Sequence, residues 1–125
     1  MIEVKDLHKS FNDTPVLKGI STVFERGKTN LIIGQSGSGK TVFMKCLLGL
    51  ITPDKGTISY EGRVYSELSA KEQRNLRQEM GMVFQGSALF DSMTVEENIM
   101  FPLTMYTNQS FEEKKERVNF CLDWV

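Results

Sequence analysis

The eight residues Gly34-Gln35-Ser36-Gly37-Ser38-Gly39-Lys40-Thr41 follow directly on the apolar run Leu31-Ile32-Ile33, and no other stretch restricts the fold as strongly. Three glycines and two serines within six positions free the backbone of bulk where a buried strand should end. On the far side, Val42, Phe43, Cys46, Leu47 and Leu50 recur at helical spacing from Thr41 to Leu50. Gly49 near the end of that helix and Pro53 just beyond it are stop signals. Strand, bare loop and helix in this order predict an α/β fold whose ligand lies at the carboxyl end of a strand.

Gly34, Gly39, Lys40 and Thr41 meet the P-loop pattern G-x-x-x-x-G-K-[ST], in the strand-to-helix setting that the pattern requires. Each part has a physical role. A phosphate chain carries several negative charges, and successive backbone amides can surround it only where no side chain intervenes. Gly34, Gly37 and Gly39 remove Cβ atoms and permit positive φ, so that the amides of Gln35, Ser36 and Ser38 can wrap with theirs. The following helix turns its unpaired N–H groups and positive dipole end towards the same anion. Lys40 can reach the β- and γ-phosphates, and the Thr41 hydroxyl can ligate Mg²⁺. The plain alternative, a glycine-rich connection, requires neither a strand before it nor a helix after it.

The first 30 residues read as β structure. Ile2 and Val4 alternate with charged residues, and Ile20, Thr22 and Phe24 alternate before the turn Glu25-Arg-Gly-Lys28. Asn12-Asp-Thr-Pro15 predicts a turn between them. Leu31 to Ile33 reads as a short strand covered on both faces, and Met82-Val83-Phe84, ending on Gln85, as another. Thr57–Tyr60 and Arg63–Tyr65 flank Glu61-Gly62 as a hairpin. Ser69-Ala-Lys-Glu72, Thr94-Val-Glu-Glu97 and Ser110-Phe-Glu-Glu113 are capping boxes. The first opens a polar helix to about Met80, the second a helix that should stop or kink near Pro102. The third opens a helix still running at Trp124-Val125, so the chain reads as cut. The predicted organisation is an antiparallel β-subdomain with a P-loop core over residues 1–91, then the start of a helical subdomain over 92–125.

Composition closes off other classes. The formal net charge is −1 with no long single-sign run, which argues against a strongly basic nucleic-acid surface. No apolar stretch approaches the ~20 residues needed to span a bilayer, and the start lacks a secretory signal pattern. Cys46 and Cys121 stand far apart and match no metal spacing, which predicts two free thiols packed as small apolar groups. His8 reads as a surface residue.

The stretch VLKGISTVFERGKTNLIIGQSGSGKTVFMKCLLGLITPDKGTISYEG resembles the N-terminal half of the nucleotide-binding subunit of an ABC transporter, and the resemblance covers nearly all of the chain. It implies a RecA-like P-loop NTPase core that binds ATP and Mg²⁺. Gln85 stands where that family has its Q-loop glutamine, which implies a role in ligating Mg²⁺ and, with Lys40, in sensing and handling the γ-phosphate. Phe11 falls where the family has an aromatic that stacks on adenine, and Val16 where a residue touches base or ribose. Many members carry tyrosine at the first position, but a phenyl ring offers the same π-face. The apolar Ala88-Leu89-Phe90 would flank the surface that receives a permease's coupling helix, or would serve as core.

Within the family, GMVFQGSALFDSMTVEENIMFPL is most similar to the ATPase of Mla-type transporters, which work with MCE-domain proteins to move phospholipids between the membranes of diderm bacteria. The implied partners are transmembrane permease subunits, a second copy of the ATPase and an MCE-domain lipid-binding protein. The implied location is cytoplasmic, peripheral on the inner face of the membrane. No Leu-Ser-Gly-Gly-Gln segment occurs, nor an apolar run ending in Asp-Glu. The signature loop, Walker B aspartate, catalytic glutamate and switch histidine of the family are therefore not in this sequence. The resemblance implies an ATPase in the full-length protein and a fragment that binds nucleotide weakly and turns it over negligibly. Alternatives are another ABC importer or exporter, a soluble P-loop kinase or GTPase, and a non-transport ABC protein of DNA repair or translation. A GTPase would need Asn-Lys-x-Asp, and a kinase an acceptor site and lid; neither is evident.

Overall fold

Two left-handed residues, Asn12 at φ 46° and Asp13 at φ 62°, turn the chain between β1 (Ile2–Phe11) and β2 (Thr14–Phe24). Asn and Asp tolerate that region best among L residues, and a two-residue turn with both φ positive matches the twist of its flanking strands. The turn expected over residues 12–15 is thus shorter, because Thr14 already pairs with Phe11 and Pro15 with Ser10. The computed structural model describes residues 1–84, 86 and 88–125.

β3 (Lys55–Tyr60) pairs antiparallel with the other edge of β1, and β4 (Arg63–Val64) with β3 across Glu61-Gly62, both at positive φ. The sheet order is β2-β1-β3-β4. Tyr65 opens a 3₁₀ turn (Tyr65–Glu67) instead of ending the strand. Among the described residues there are four α-helices: α1 (Lys40–Leu47), between β2 and β3, and, after the 3₁₀ turn, α2 (Ala70–Gln78), α3 (Val95–Tyr106) and α4 (Phe111–Leu122).

All three capping boxes form. The amides of Ser69, Thr94 and Ser110 donate to the carboxylates of Glu72, Glu97 and Glu113 at 2.8, 2.7 and 2.7 Å. Each glutamate amide donates back to the cap hydroxyl. α1 ends as its sequence predicts. Gly49 adopts φ 66°, its amide donates to Cys46 O at 3.0 Å, and the Leu50 amide donates to Lys45 O at 2.9 Å. That double closure is a Schellman motif. A Cβ at position 49 would overlap the Tyr65 ring and hydroxyl, so glycine is required there for space as well as for conformation.

Among the described residues the chain divides into two compact units, Met1–Met82 and Val83–Val125. In the first, Val4, Leu7, Leu17, Ile58 and Tyr60 of the sheet pack against Phe43, Cys46 and Leu47 of α1 and Leu76 of α2. Phe24 and Phe43 rings meet at 6.2 Å, and the Tyr60 hydroxyl donates to the Leu47 carbonyl. Burial pushes the Cys46 thiol up, so it packs as an apolar group; both cysteines are free. In the second unit α3 packs on α4 around the fully buried Val118. The Asn98 side chain donates to the carbonyls of Phe90, Met93 and Thr94 and accepts from the Phe90 amide, tying the preceding loop to α3.

Two further expectations change. Leu31 to Ile33 and Met82 to Phe84 form no ladder among the described residues; Leu31, Ile33 and Val83 are 85, 81 and 98% exposed. Only Ile32 and, more weakly, Met82 turn inward. A run that is apolar on both faces becomes a covered strand only when neighbouring strands and a second layer are there to cover it. Of the stop or kink expected near Pro102, the stop does not occur: α3 continues to Tyr106. Proline removes one helical hydrogen bond, and the turns on either side hold: Thr94 caps one end, and at the other the Thr107 amide and hydroxyl donate to Leu103 O at 3.0 and 2.6 Å.

Candidate functional site: the phosphate loop

Gly34 to Gly39 leave the core edge at Ile32 and feed straight into α1. Gly37 at φ 77° and Gly39 at φ 99° occupy backbone space that L residues rarely adopt. Gly34 is bare for a different reason. The Ser38 hydroxyl stands 2.7 Å from where its Cβ would be, so the loop folds across it. The Ser38 amide closes the turn on Gln35 O at 3.2 Å.

α1 starts unlike the other three helices. Gly39 provides no capping side chain, and the first turn holds no acidic residue. Each of the others has a capping box and a glutamate in its first turn. Among the described residues the amides of Ser36, Gly37, Gly39, Lys40 and Thr41 donate to no carbonyl. A helix start with free amides, the positive end of its dipole and no carboxylate nearby is electrostatically suited to an anion supplied from outside.

Lys40 is held in place within this setting. Its ammonium donates to Gly34 O and Gln35 O, each at 2.7 Å. Two of its three N–H groups thereby brace the loop, leaving one donor and the full charge for an incoming anion. Thr41 follows in the first turn of α1 with its side chain exposed, a hard oxygen of the kind Mg²⁺ takes.

The structure also brings Val16 of β2 to the loop: its Cγ1 lies 3.0 Å from the Cβ position of Gly39. Phe11 ends β1 beside the hairpin turn and is 43% exposed, so its ring is partly accessible from solvent. A feature that local spacing gives no hint of supports it. The Lys9 ammonium stands 5.5 Å from the Phe11 ring centroid and donates to Asp54 at 2.7 Å, and Asp54 also accepts the Ser10 amide at 2.7 Å. These two bonds, the Lys9 one first, hold the Asp54 carboxyl below its ordinary value. Lys9 and Asp54 are 45 residues apart in sequence, so only the pairing of β1 with β3 makes the link visible. Gln85 lies outside the described residues. In the second unit, Ala88, Leu89 and Phe90 are exposed, although the Phe90 ring rests against Phe101 at 4.7 Å.

The family model described as ABC transporter matches residues 17–125. The chain belongs to the ABC transporter family. The likeness extends to three dimensions: a solved ATP-binding cassette, a dimer in its post-hydrolysis state with ADP and Pi, superposes at a TM-score of 0.85 with 27% identity over 98% of this chain and 56% of that one. This α/β cassette fold, with its antiparallel sheet leading into the P-loop helix, is the class the sequence predicts. A probable ribonucleotide transport ATP-binding protein of Mycobacterium leprae is 38% identical over 94% of the chain and 34% of its own length. The chloroplast protein trigalactosyldiacylglycerol 3 of Arabidopsis thaliana is 39% identical over 98% of the chain and 35% of its own length. The ABC transporter chain thus spans about a third of the length of these curated relatives.

Proposed function

We propose that the loop Gly34–Thr41 binds the polyphosphate of ATP and that the full-length protein is the ATPase subunit of an ABC transporter. The observation that carries the reading is the uncapped, acid-free start of α1 beside the braced Lys40 ammonium. The loop Gly34, Gln35, Ser36, Gly37, Ser38 and Gly39 surrounds the phosphates, with the free amides of Ser36, Gly37, Gly39, Lys40 and Thr41 as donors; Lys40 takes the β- and γ-phosphate charge, and Phe11 stacks on the base with Val16 beside it. Thr41 and Gln85 supply oxygen ligands for Mg²⁺, whose chemistry is to neutralise charge on the terminal phosphates. Lys40 and Gln85 are the catalytic contributions of this chain. The water-orienting groups belong to the rest of the protein, and hydrolysis is accordingly proposed for the whole.

Titration of the folded chain with a fluorescent ATP analogue, with and without Mg²⁺, tests this. Binding that strengthens with Mg²⁺ and is lost in Lys40→Ala is expected. A folded sample that binds in neither condition overturns the site.

For the cargo we propose phospholipid, moved by an Mla-type system with transmembrane permease subunits, a second ATPase copy and an MCE-domain protein. Two things support it: the segment SALFDSMTVEEN, and a relative whose name is that of a glycerolipid. A relative named for ribonucleotide transport favours the competing reading of another ABC importer or exporter. No helix among the described residues is long and apolar enough to cross a membrane, which suits a peripheral subunit on the inner face. Reconstitution of the full-length protein with its permease in vesicles separates the two cargo readings. ATP turnover that responds to phospholipid acceptor vesicles and ignores ribonucleotides is the expected result.

A further inference from the structure

We infer that Val16 is a positioning residue for the phosphate loop, acting through Gly39, beyond any contact it makes with the base or ribose. The inference rests on the reading of the loop as a polyphosphate site. In the β1–β2 ladder Lys9 pairs with Leu17 and Ser10 with Pro15, so Val16 is the extra residue of a bulge. A bulge bends its strand and re-aims a side chain. Here the re-aimed residue meets the start of α1. Around the position a Cβ would take on Gly39 stand Val16 Cγ1 at 3.0 Å, Val16 O at 3.3 Å and Leu17 Cδ2 at 3.3 Å. The backbone at Gly39 is therefore seated closely against β2, and a methyl group there would fit only if Val16 and Leu17 gave way by a few tenths of an ångström.

The same strand holds the next turn of the helix. The Gly39 carbonyl accepts the Phe43 amide at 2.8 Å, and Phe43, 4% exposed, packs on Phe24 at the far end of β2. β2 thus grips α1 through Phe24 on Phe43 and through Val16 and Leu17 on Gly39. The first grip sets where the helix lies. The second sets the angle at which the loop enters it, and with that the direction of the Gly39, Lys40 and Thr41 amides. A donor set displaced by a fraction of an ångström loses much of its hold on a fixed anion.

The test separates phosphate positioning from base contact by using a ligand that has no base. Inorganic triphosphate and ATP are titrated, with Mg²⁺, against the full-length chain carrying Val16, Val16→Ala, Val16→Leu or Val16→Thr, with equilibrium unfolding to confirm that each is folded. Loss of the prop in Val16→Ala and displacement by the longer side chain in Val16→Leu should each weaken triphosphate by about tenfold, and ATP by the same factor. Val16→Thr keeps two γ atoms on Cβ and should bind triphosphate like the unsubstituted protein. Should Val16→Ala fail to fold, the Leu and Thr variants decide. Triphosphate affinity unchanged in Ala and Leu while ATP affinity falls would mean a base contact only, and the inference fails. Equal weakening in all three variants, or in none, also overturns it. If the unsubstituted protein binds neither ligand, the phosphate-site reading itself fails and takes this inference with it.

Discussion

Glycine at position 39 is required for two independent reasons, and they predict different losses. Its φ of 99° is strained for any L side chain, and a Cβ would press on Val16 and Leu17. Gly39→Ala should therefore lower unfolding free energy by ~1–3 kcal/mol in urea titration and also weaken nucleotide binding. Gly49→Ala provides the contrast. It combines φ 66° with overlap on Tyr65, so a comparable loss of stability is expected, yet it lies at the other end of α1 and the folded fraction should bind nucleotide normally. A Gly49→Ala protein that is folded and cannot bind would show that the two ends of the helix are not independent. Lys40→Ala is the reverse case: its hydrogen bonds to Gly34 and Gln35 are exposed, so stability should change by under ~1 kcal/mol while binding is lost. At this scale the loop was legible because its chemistry lies in one run of eight residues. The Lys9–Asp54 support beneath Phe11 was not, because it exists only after β1 and β3 pair.

The helices divide into three that close their own N-termini and one that does not, and pH distinguishes the two kinds. Glu97 and Glu113 are held below the ordinary 4.5, first by the amides of Thr94 and Ser110. Glu72 is held below it first by the Ser69 hydroxyl. A carboxylate whose folded value is depressed contributes stability that is fully present above its unfolded value and disappears as pH falls through the folded value. Melting temperature should thus be insensitive to these groups near neutrality and fall with acidification below about pH 4.5. In the triple variant Glu72→Gln, Glu97→Gln, Glu113→Gln that acid slope should be shallower, as thermal melts followed by circular dichroism from pH 3 to 7 would show. An unchanged slope would locate the acid sensitivity in the other depressed carboxyls: Asp6, held down first by Lys55 and then by His8, Asp54 held by Lys9, and Glu61 held by the N-terminal ammonium. The caps were legible because Ser or Thr with Glu three residues on is a local signal, and the Gly49 stop because a Schellman closure needs one left-handed residue. The strands at 31–33 and 82–84 were not, since a strand is defined by its neighbours. Apolar residues at those positions mark a segment suited to cover on both faces without providing the cover.

For the molecule as a whole, low net charge and uncovered apolar surface act in the same direction. In the first unit Leu31 and Ile33 flank the inward Ile32 and stand open to solvent, beside a loop that carries no carboxylate to keep another chain away. In the second, Val83, Leu89 and Trp124 are 98, 66 and 77% exposed. A formal charge of −1 and a pI near 5.9 supply little electrostatic repulsion at neutral pH. Exposed apolar runs with unpaired backbone are also the surfaces on which strands from two chains meet. The 125-residue chain should therefore associate in a concentration-dependent way, measurable by sedimentation velocity, most strongly between pH 6 and 7 and less at pH 9 as the charge grows. Leu31→Glu with Ile33→Glu should reduce both the association and the binding of a hydrophobic dye, because each removes an apolar contact and together they move the net charge further from zero. Two glutamates at neutral positions on the exposed face of α4 would add the same charge without touching the strand segment. If such a control reduced association equally, charge alone would govern it. If only the Leu31 and Ile33 changes did, the uncovered run before the phosphate loop is the surface that seeks a partner.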